Sequence, residues 1–233
     1  MAADRRGNGH GRGADVSAGP RPAQVYDRLK DAIITGTLRP LERISENKVA
    51  ADFGLSRTPV RQALQRLEAE GLIQVVPKRG SFVSRPTVED ILEIYQIRTP
   101  LEGVCARVAA ERIEESQLTT LDRLVKIEQG RGPGKAPDRS LRAAAQFHAV
   151  IAGCSRNQRM ATLLADLQNQ VHRVRVLWPS TVARLSDTWM EHASILDALR
   201  AHDGAEAERL MVEHLERARM STLNRILPST GSL

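Results

Sequence analysis

The chain has only two cysteines, Cys105 and Cys154, and no apolar stretch approaching the ~18 residues that a membrane-spanning helix needs. Both cysteines fall in helical patterns of a sequence without a secretory signal. They read as buried thiols, and the compartment as a reducing cytoplasm. Residues 1–20 have almost no large apolar side chain and lack the apolar core of a signal peptide; rich in Gly and Arg, they read as a disordered basic tail. Residues 87–233 lack net charge. They hold 19 Lys and Arg against 19 Asp and Glu, whereas residues 1–86 hold 15 against 9, so the whole +6 excess sits in the first segment. Attraction to nucleic-acid phosphates requires that kind of placement. The 233 residues allow one large or two ordinary domains.

The basic segment carries the run LSRTPVRQALQRLEAEGLIQVVPKRGSFV, residues 55–83. Ser56 or Thr58 can cap a helix, and Pro59 is tolerated in a first turn whose amides have no intrahelical partner. Val60, Ala63, Leu64 and Leu67 then recur at helical spacing and make one apolar face. Arg57, Thr58, Arg61, Gln62 and Gln65 fall on the other side, and arginine and glutamine can make paired hydrogen bonds to base edges in a major groove. Gly71 ends this helix. Ile73–Val76 and Ser81–Val83 read as two strands joined by Pro77-Lys78-Arg79-Gly80, a hairpin with a basic tip. Upstream, Pro22–Thr35 carries Val25, Leu29 and Ile33 on one stripe and stops at Gly36. Ser45 can cap a short helix whose Val49, Ala50 and Phe53 face inward, and Gly54-Leu55 supplies the turn. Residues 21–86 therefore read as a winged helix-turn-helix that binds double-stranded DNA.

Beyond Pro86 the strand signals stop. Helices are expected at about 87–112, 116–129, 138–153, 157–178, 187–201 and 204–226, with a Gly/Pro-rich loop over Gly130–Pro137. The fold class is mainly α: a winged helix-turn-helix with a small β-wing, then an all-helical bundle of about six helices over 87–228. Four polar residues stand on apolar stripes of this second half: Arg98, His148, His192 and His214. Histidines projecting inward from separate helices are how bundles build metal sites, and imidazole suits zinc, nickel, iron and copper. Arg98 reads either as a clamp for an effector carboxylate or as a buried arginine paired with Glu102 one turn on. His172 lies beside its stripe, His202 at a helix end where an imidazolium complements the dipole, and His10 in the tail. Three histidines also describe catalytic zinc sites, but no acidic residue is evidently placed as a general base. A winged helix would be unexplained in an enzyme, so an enzyme is not expected.

SENKVAADFGLSRTPVRQALQRLEAEGLI and the PKRGSFV wing resemble the DNA-binding domain of GntR-type bacterial transcription regulators. The pieces IRTPLEGVCARVAA, QFHAVIAGCSRNQRM and EHASILDALRAHDGAEAERLMVEHL resemble the FadR C-terminal (FCD) ligand-binding domain of the FadR/VanR-like subfamily. The first resemblance implies that Arg57 and Arg61 contact an operator and that Gly80 lets the wing tip approach the minor groove. Some branches carry a DNA-contacting arginine where Asn47 stands here. The second resemblance implies a divalent metal, zinc or nickel, on His148, His192 and His214, and effector binding by these histidines with Arg98. Metal-binding members add an aspartate four residues before the first histidine; here that position is Ala144. Three imidazoles can still hold a metal with water or an effector carboxylate completing the shell, or can receive an anion directly. Together the resemblances imply a homodimeric, effector-responsive regulator, most often a repressor.

Overall fold

The computed structural model describes residues 22–130, 137–179 and 181–227. The basic tail and residues 131–136 of the expected loop lie outside the described residues. Contacts divide the chain into two units, one formed by residues to Lys30 with Glu42–Val83, the other by Asp31–Leu41 with Ser84 onward.

The first unit follows the order α1 (Pro22–Ile34), β1 (Arg43–Ile44), α2 (Glu46–Phe53), α3 (Arg57–Ala69), β2 (Ile73–Val76) and β3 (Gly80–Val83). Its core contains the apolar faces read from the sequence: Val25 and Leu29 on α1, Val49 and Ala50 on α2, and Val60, Ala63, Leu64 and Leu67 on α3. Phe53, expected to face inward, is only half-buried, with the Arg28 guanidinium 5.3 Å from its ring centre. Ser45 caps α2 by accepting from the Lys48 amide at 3.3 Å. Gly54 then adopts a left-handed conformation at φ 62, which returns its N–H to α2 carbonyls and sends the chain into α3. Ser56 takes the N-cap position of α3 without a side-chain cap bond, so the expected hydroxyl cap is not formed there.

The wing is larger than expected. β1 joins the two predicted strands in an antiparallel sheet of order β1-β3-β2, pairing Arg43 with Phe82 and Ile44 with Ser81. A two-residue strand has too few positions to show alternation, which is why the sequence pattern does not reveal it. β2 pairs with β3 from Ile73↔Val83 to Val76↔Gly80.

The second unit is helical: α4 (Val88–Arg112), α5 (Glu115–Gln129), α6 (Pro137–Cys154), α7 (Gln158–Leu177), α8 (Val182–Arg200) and α9 (Gly204–Ile226). Thr87 opens α4 through a reciprocal capping box with Asp90: the Asp90 amide donates to Thr87 Oγ1 at 3.1 Å, and the Thr87 amide donates to Asp90 Oδ2 at 2.7 Å. Helix α8 begins five residues before the expected start at 187, because Thr181 caps it by accepting from the Arg184 amide. One apolar cluster draws on every helix of the unit, with Ile91, Leu121, Phe147, Leu167, Leu196 and Met211 among its members. Cys105 and Cys154 are both free and buried. Among the described residues no helix is long and apolar enough to cross a membrane.

Helices α4 and α9 come close because Gly103 carries no side chain. A Cβ there would lie 2.9 Å from Val212 Cγ2. This approach sets the spacing of the helices that carry Arg98, Glu102 and His214. Gly103→Val is expected to destabilise the protein by about 1–3 kcal/mol through overpacking, read as a lower Tm. Gly153→Ala, whose Cβ meets nothing within 4 Å, should leave Tm unchanged or raise it.

Candidate functional site

The three histidines read from separate stripes meet in the interior of the helical unit. His148 on α6, His192 on α8 and His214 on α9 are buried, and each offers a ring nitrogen within 4.8 Å of the other two. His192 Nε2 and His214 Nε2 are 3.3 Å apart. Phe147 stacks on the His192 ring, with centroids 4.3 Å apart, and fixes its plane.

Each outer ring nitrogen meets a carboxylate. His148 Nδ1 lies 2.5 Å from Glu102 Oε2, His192 Nδ1 lies 3.0 Å from both Glu128 oxygens, and His214 Nδ1 lies 2.6 Å from Glu191 Oε2. An ionised carboxylate only accepts, so each Nδ1 carries the hydrogen and each Nε2 presents a lone pair. For His192 and His214 those lone pairs confront one another at 3.3 Å. Two lone pairs so placed repel unless a proton or a metal cation lies between them. Bonds of ~2.0–2.1 Å to a tetrahedral zinc would put two ligating nitrogens roughly 3.3–3.4 Å apart. The residues present therefore fit a divalent metal, with three imidazoles and a fourth position for another ligand.

The acidic partners are what the sequence reading missed. Glu128 is fully buried and Glu102 nearly so, while Glu191 also accepts a two-pronged bond from Arg184 at 2.9–3.0 Å. All three carboxylates are engaged with Nδ1 atoms, which makes them orienting groups and not general bases. Of the two readings of Arg98, the buried pair is the one observed: its Nε and Nη2 lie 2.7 and 2.6 Å from Glu102 Oε1. Arg98 Nη1 is buried without a hydrogen-bond partner. Burial tends to raise the Glu102 pKa, but Arg98 and His148 outweigh it and hold the carboxyl at about 2. Burial pushes His148 below the usual imidazole range, with Glu102 opposing. His214 is pushed well below it by burial and then by His192, His148, Arg184 and Arg175. His202 Nδ1 donates to the Ala110 carbonyl at 2.7 Å, near the end of α4. His172 is half-buried and stands outside the cluster.

Ala144, one turn before His148, lines a narrow pocket together with Arg175, Arg184, Thr188, Thr222 and Arg225. Neither the pocket nor its arginines were singled out from sequence.

On the first unit, Arg57, Thr58, Arg61, Gln62 and Gln65 are all exposed on α3, opposite its buried face. Arg61 Nε donates to Glu46 Oε2 at 2.9 Å, tying α3 to the start of α2. Asn47 is exposed on α2. At the wing tip the Arg79 amide donates to the Val76 carbonyl at 3.0 Å and closes a turn in which Lys78 has φ 63. Lys78 and Arg79 are exposed there. Gly80 has φ 105, a conformation open chiefly to glycine, and packs beside the Arg43 guanidinium.

Residues 22–83 match the family of bacterial regulatory proteins called gntR, and residues 93–217 match the FCD domain. The chain belongs to the GntR family. This GntR regulator is 30% identical to an uncharacterized HTH-type transcriptional regulator, YdhC, of Bacillus subtilis, over 84% of this chain and 88% of that protein. It is equally similar, at 30% identity over 84% and 86%, to the HTH-type transcriptional repressor RspR of Escherichia coli. The crystal structure of a transcriptional regulator GntR from Rhodococcus sp. RHA1 superposes with a TM-score of 0.72 at 29% identity, covering 87% of this chain and 97% of that one. These relatives are regulators and not enzymes, and the chain is a transcriptional regulator with a DNA-binding helix-turn-helix.

His148 and His214, both pushed down by burial, fix a pH dependence. Above about 6.5 the unfolded chain also keeps them neutral, so the depressed native pKa values have no effect there. As pH falls below that, the unfolded state binds protons that the native interior refuses, and stability declines. The depressed Glu102 adds stability that is present above about 4.5 and is lost as pH falls towards 2. Metal-free protein should therefore melt at steadily lower temperature from pH 7 to pH 5, while zinc should raise Tm at pH 7.5 and be released on acidification. A metal-free Tm that stays flat over this range would contradict the assignment. Glu128→Gln should weaken zinc retention about 10–100-fold, measured by competition with a fluorescent chelator.

Proposed function

We propose that this GntR regulator is a cytoplasmic homodimeric repressor that releases its operator when a small carboxylate binds the helical unit. Residues 21–86 are assigned to DNA binding and 87–228 to dimerisation and effector binding. Arg57, Arg61, Gln62 and Gln65 read base edges from α3. Thr58, Asn47, Lys78 and Arg79 hold the backbone, and Gly80 lets the wing tip approach the minor groove. Repressor names among the relatives, such as RspR and GlaR of Escherichia coli, support the sign of regulation.

One observation carries the effector half of this reading: the two inward nitrogens of His192 and His214, 3.3 Å apart and backed by carboxylates. A zinc or nickel ion on His148, His192 and His214 would satisfy them, and when bound it would offer a Lewis-acidic position to an effector carboxylate. Arg98 takes part by holding Glu102, which holds His148 in turn. The effector shifts DNA binding only by favouring one of two states of the dimer. Half-sites in many helix-turn-helix dimers lie ~34–36 Å apart, so a small rotation misaligns one recognition helix.

Quantitative footprinting at fixed salt tests the DNA half. Arg61→Ala should cost about 1–3 kcal/mol and relax base preference, whereas Lys78→Ala should weaken specific and random DNA about equally. An Arg61→Ala operator logo identical to the parent's would remove α3 as the recognition helix. His192→Ala should keep operator affinity and lose the response to carboxylates, and light scattering of the full chain should give a dimer. Should His192→Ala respond like the parent, the histidines are structural only.

A further inference from the structure

On the outside of the helical unit, α8 and α9 border a groove of about 840 Å³. Met190 on α8 and Met220 on α9 line it, and they are 47% and 50% exposed. Two large apolar side chains from different helices thus share one concave surface. Leu92 and Ile97 on α4 are exposed as well, but their spacing places them about 140° apart around that helix. The polar floor of the groove is already satisfied. Glu191 accepts from Arg184 at 2.9–3.0 Å, lies 3.1 Å from Arg217 Nε, and meets His214 Nδ1 at 2.6 Å. A carboxylate held from three sides leaves little charge for a small ion to answer, and it stiffens the floor. What stands to gain from being covered is the apolar surface of the two methionines, whose flexible thioethers fill irregular gaps.

The charges around the groove decide what kind of partner fits. Arg184, Arg217 and Arg225 line it together with Asp187, Glu191 and Glu216, so both signs stand on one face in equal number. Asp187 has no cation beside it among the described residues, while the Arg217 side chain is 52% exposed. A face of one sign selects a partner of the other sign. A face that balances the two can pair with a copy of itself, because a twofold axis sets residue i against j and j against i. Methionine and arginine are also among the residues enriched in protein interfaces. We propose that the α8–α9 groove is the face through which two copies of this chain associate, with Met190 and Met220 of each copy seated in the groove of the other. This deepens the homodimer reading given above and rests on it. Glu191 belongs to both places, lining the groove and fixing His214, so the dimer contact lies one side chain away from the histidine cluster.

Peroxide footprinting of the unaltered full-length protein tests the face without any substitution, since exposed methionines become sulfoxides while covered ones are spared. Where light scattering gives a dimer, Met190 and Met220 should oxidise as slowly as Met211, which is 0% exposed inside the bundle. Sedimentation of variants supplies the second measurement. Met190→Glu and Met220→Glu each place an unpaired charge in the contact and should raise the dimer dissociation constant about ten-fold or more. Ile97→Glu, at a site 43% exposed on α4, should leave it unchanged. A dimer whose two methionines oxidise rapidly, or one that survives both Met→Glu substitutions, leaves the groove to another occupant. Either result overturns the proposal and lets the homodimer reading stand. A chain that is monomeric at every concentration overturns both.

Discussion

The helical unit is organised around the contact between three imidazoles and three carboxylates in an apolar interior. An isolated charge there would cost several kcal/mol, and removing one partner of a buried pair typically costs about 3–5 kcal/mol. Each member consequently fixes another. Glu102 on α4 reaches His148 on α6, Glu128 on α5 reaches His192 on α8, and Glu191 on α8 reaches His214 on α9. Five of the six helices are thus tied by directional bonds that tolerate little slippage. Apolar packing could hold these helices at several angles, but the carboxylate–imidazole pairs select one. That selection also turns every Nε2 inward and concentrates lone pairs at the centre. The same bonds that specify the bundle also arrange a donor set that fits a cation.

Most of the fold could be read from residue order because its helices have regular stripes and chemically explicit ends. The helix opening at residue 87, the Ser45 cap before α2 and the Gly54 turn after it acted as the pattern implied. The start of α8 was missed because Asp187, an equally good capping residue, lies inside the helix while Thr181 does the capping. β1 was missed for want of length. The histidines were found by asking which polar residues interrupt apolar stripes. Glu128 passes the same test, lying seven after Leu121, four after Leu124 and three after Val125, all buried. It went unnoticed because glutamate on a helix usually marks a solvated face. Arg175 and Arg184 carry no such mark: only the three-dimensional pocket sets them beside Ala144.

The first unit depends on the opposite electrostatic regime. Arg61 and Glu46 form their pair at the surface, with the Arg61 side chain 62% exposed. A pair of that kind is worth at most about 1 kcal/mol and is screened by salt. It can therefore hold the Arg61 fork near the face of α3 without competing seriously against a guanine edge, whose paired contact is worth about 1–3 kcal/mol. The Lys78 turn follows the same logic: a positive φ at a non-glycine residue costs stability, and it places a cation at the tip of the wing. Buried pairs in one unit cannot be exchanged without large cost, and exposed pairs in the other can be exchanged for DNA at almost none. A ligand that alters the buried network can thus act on a part of the protein that resists change, while the surface that meets DNA remains free to let go.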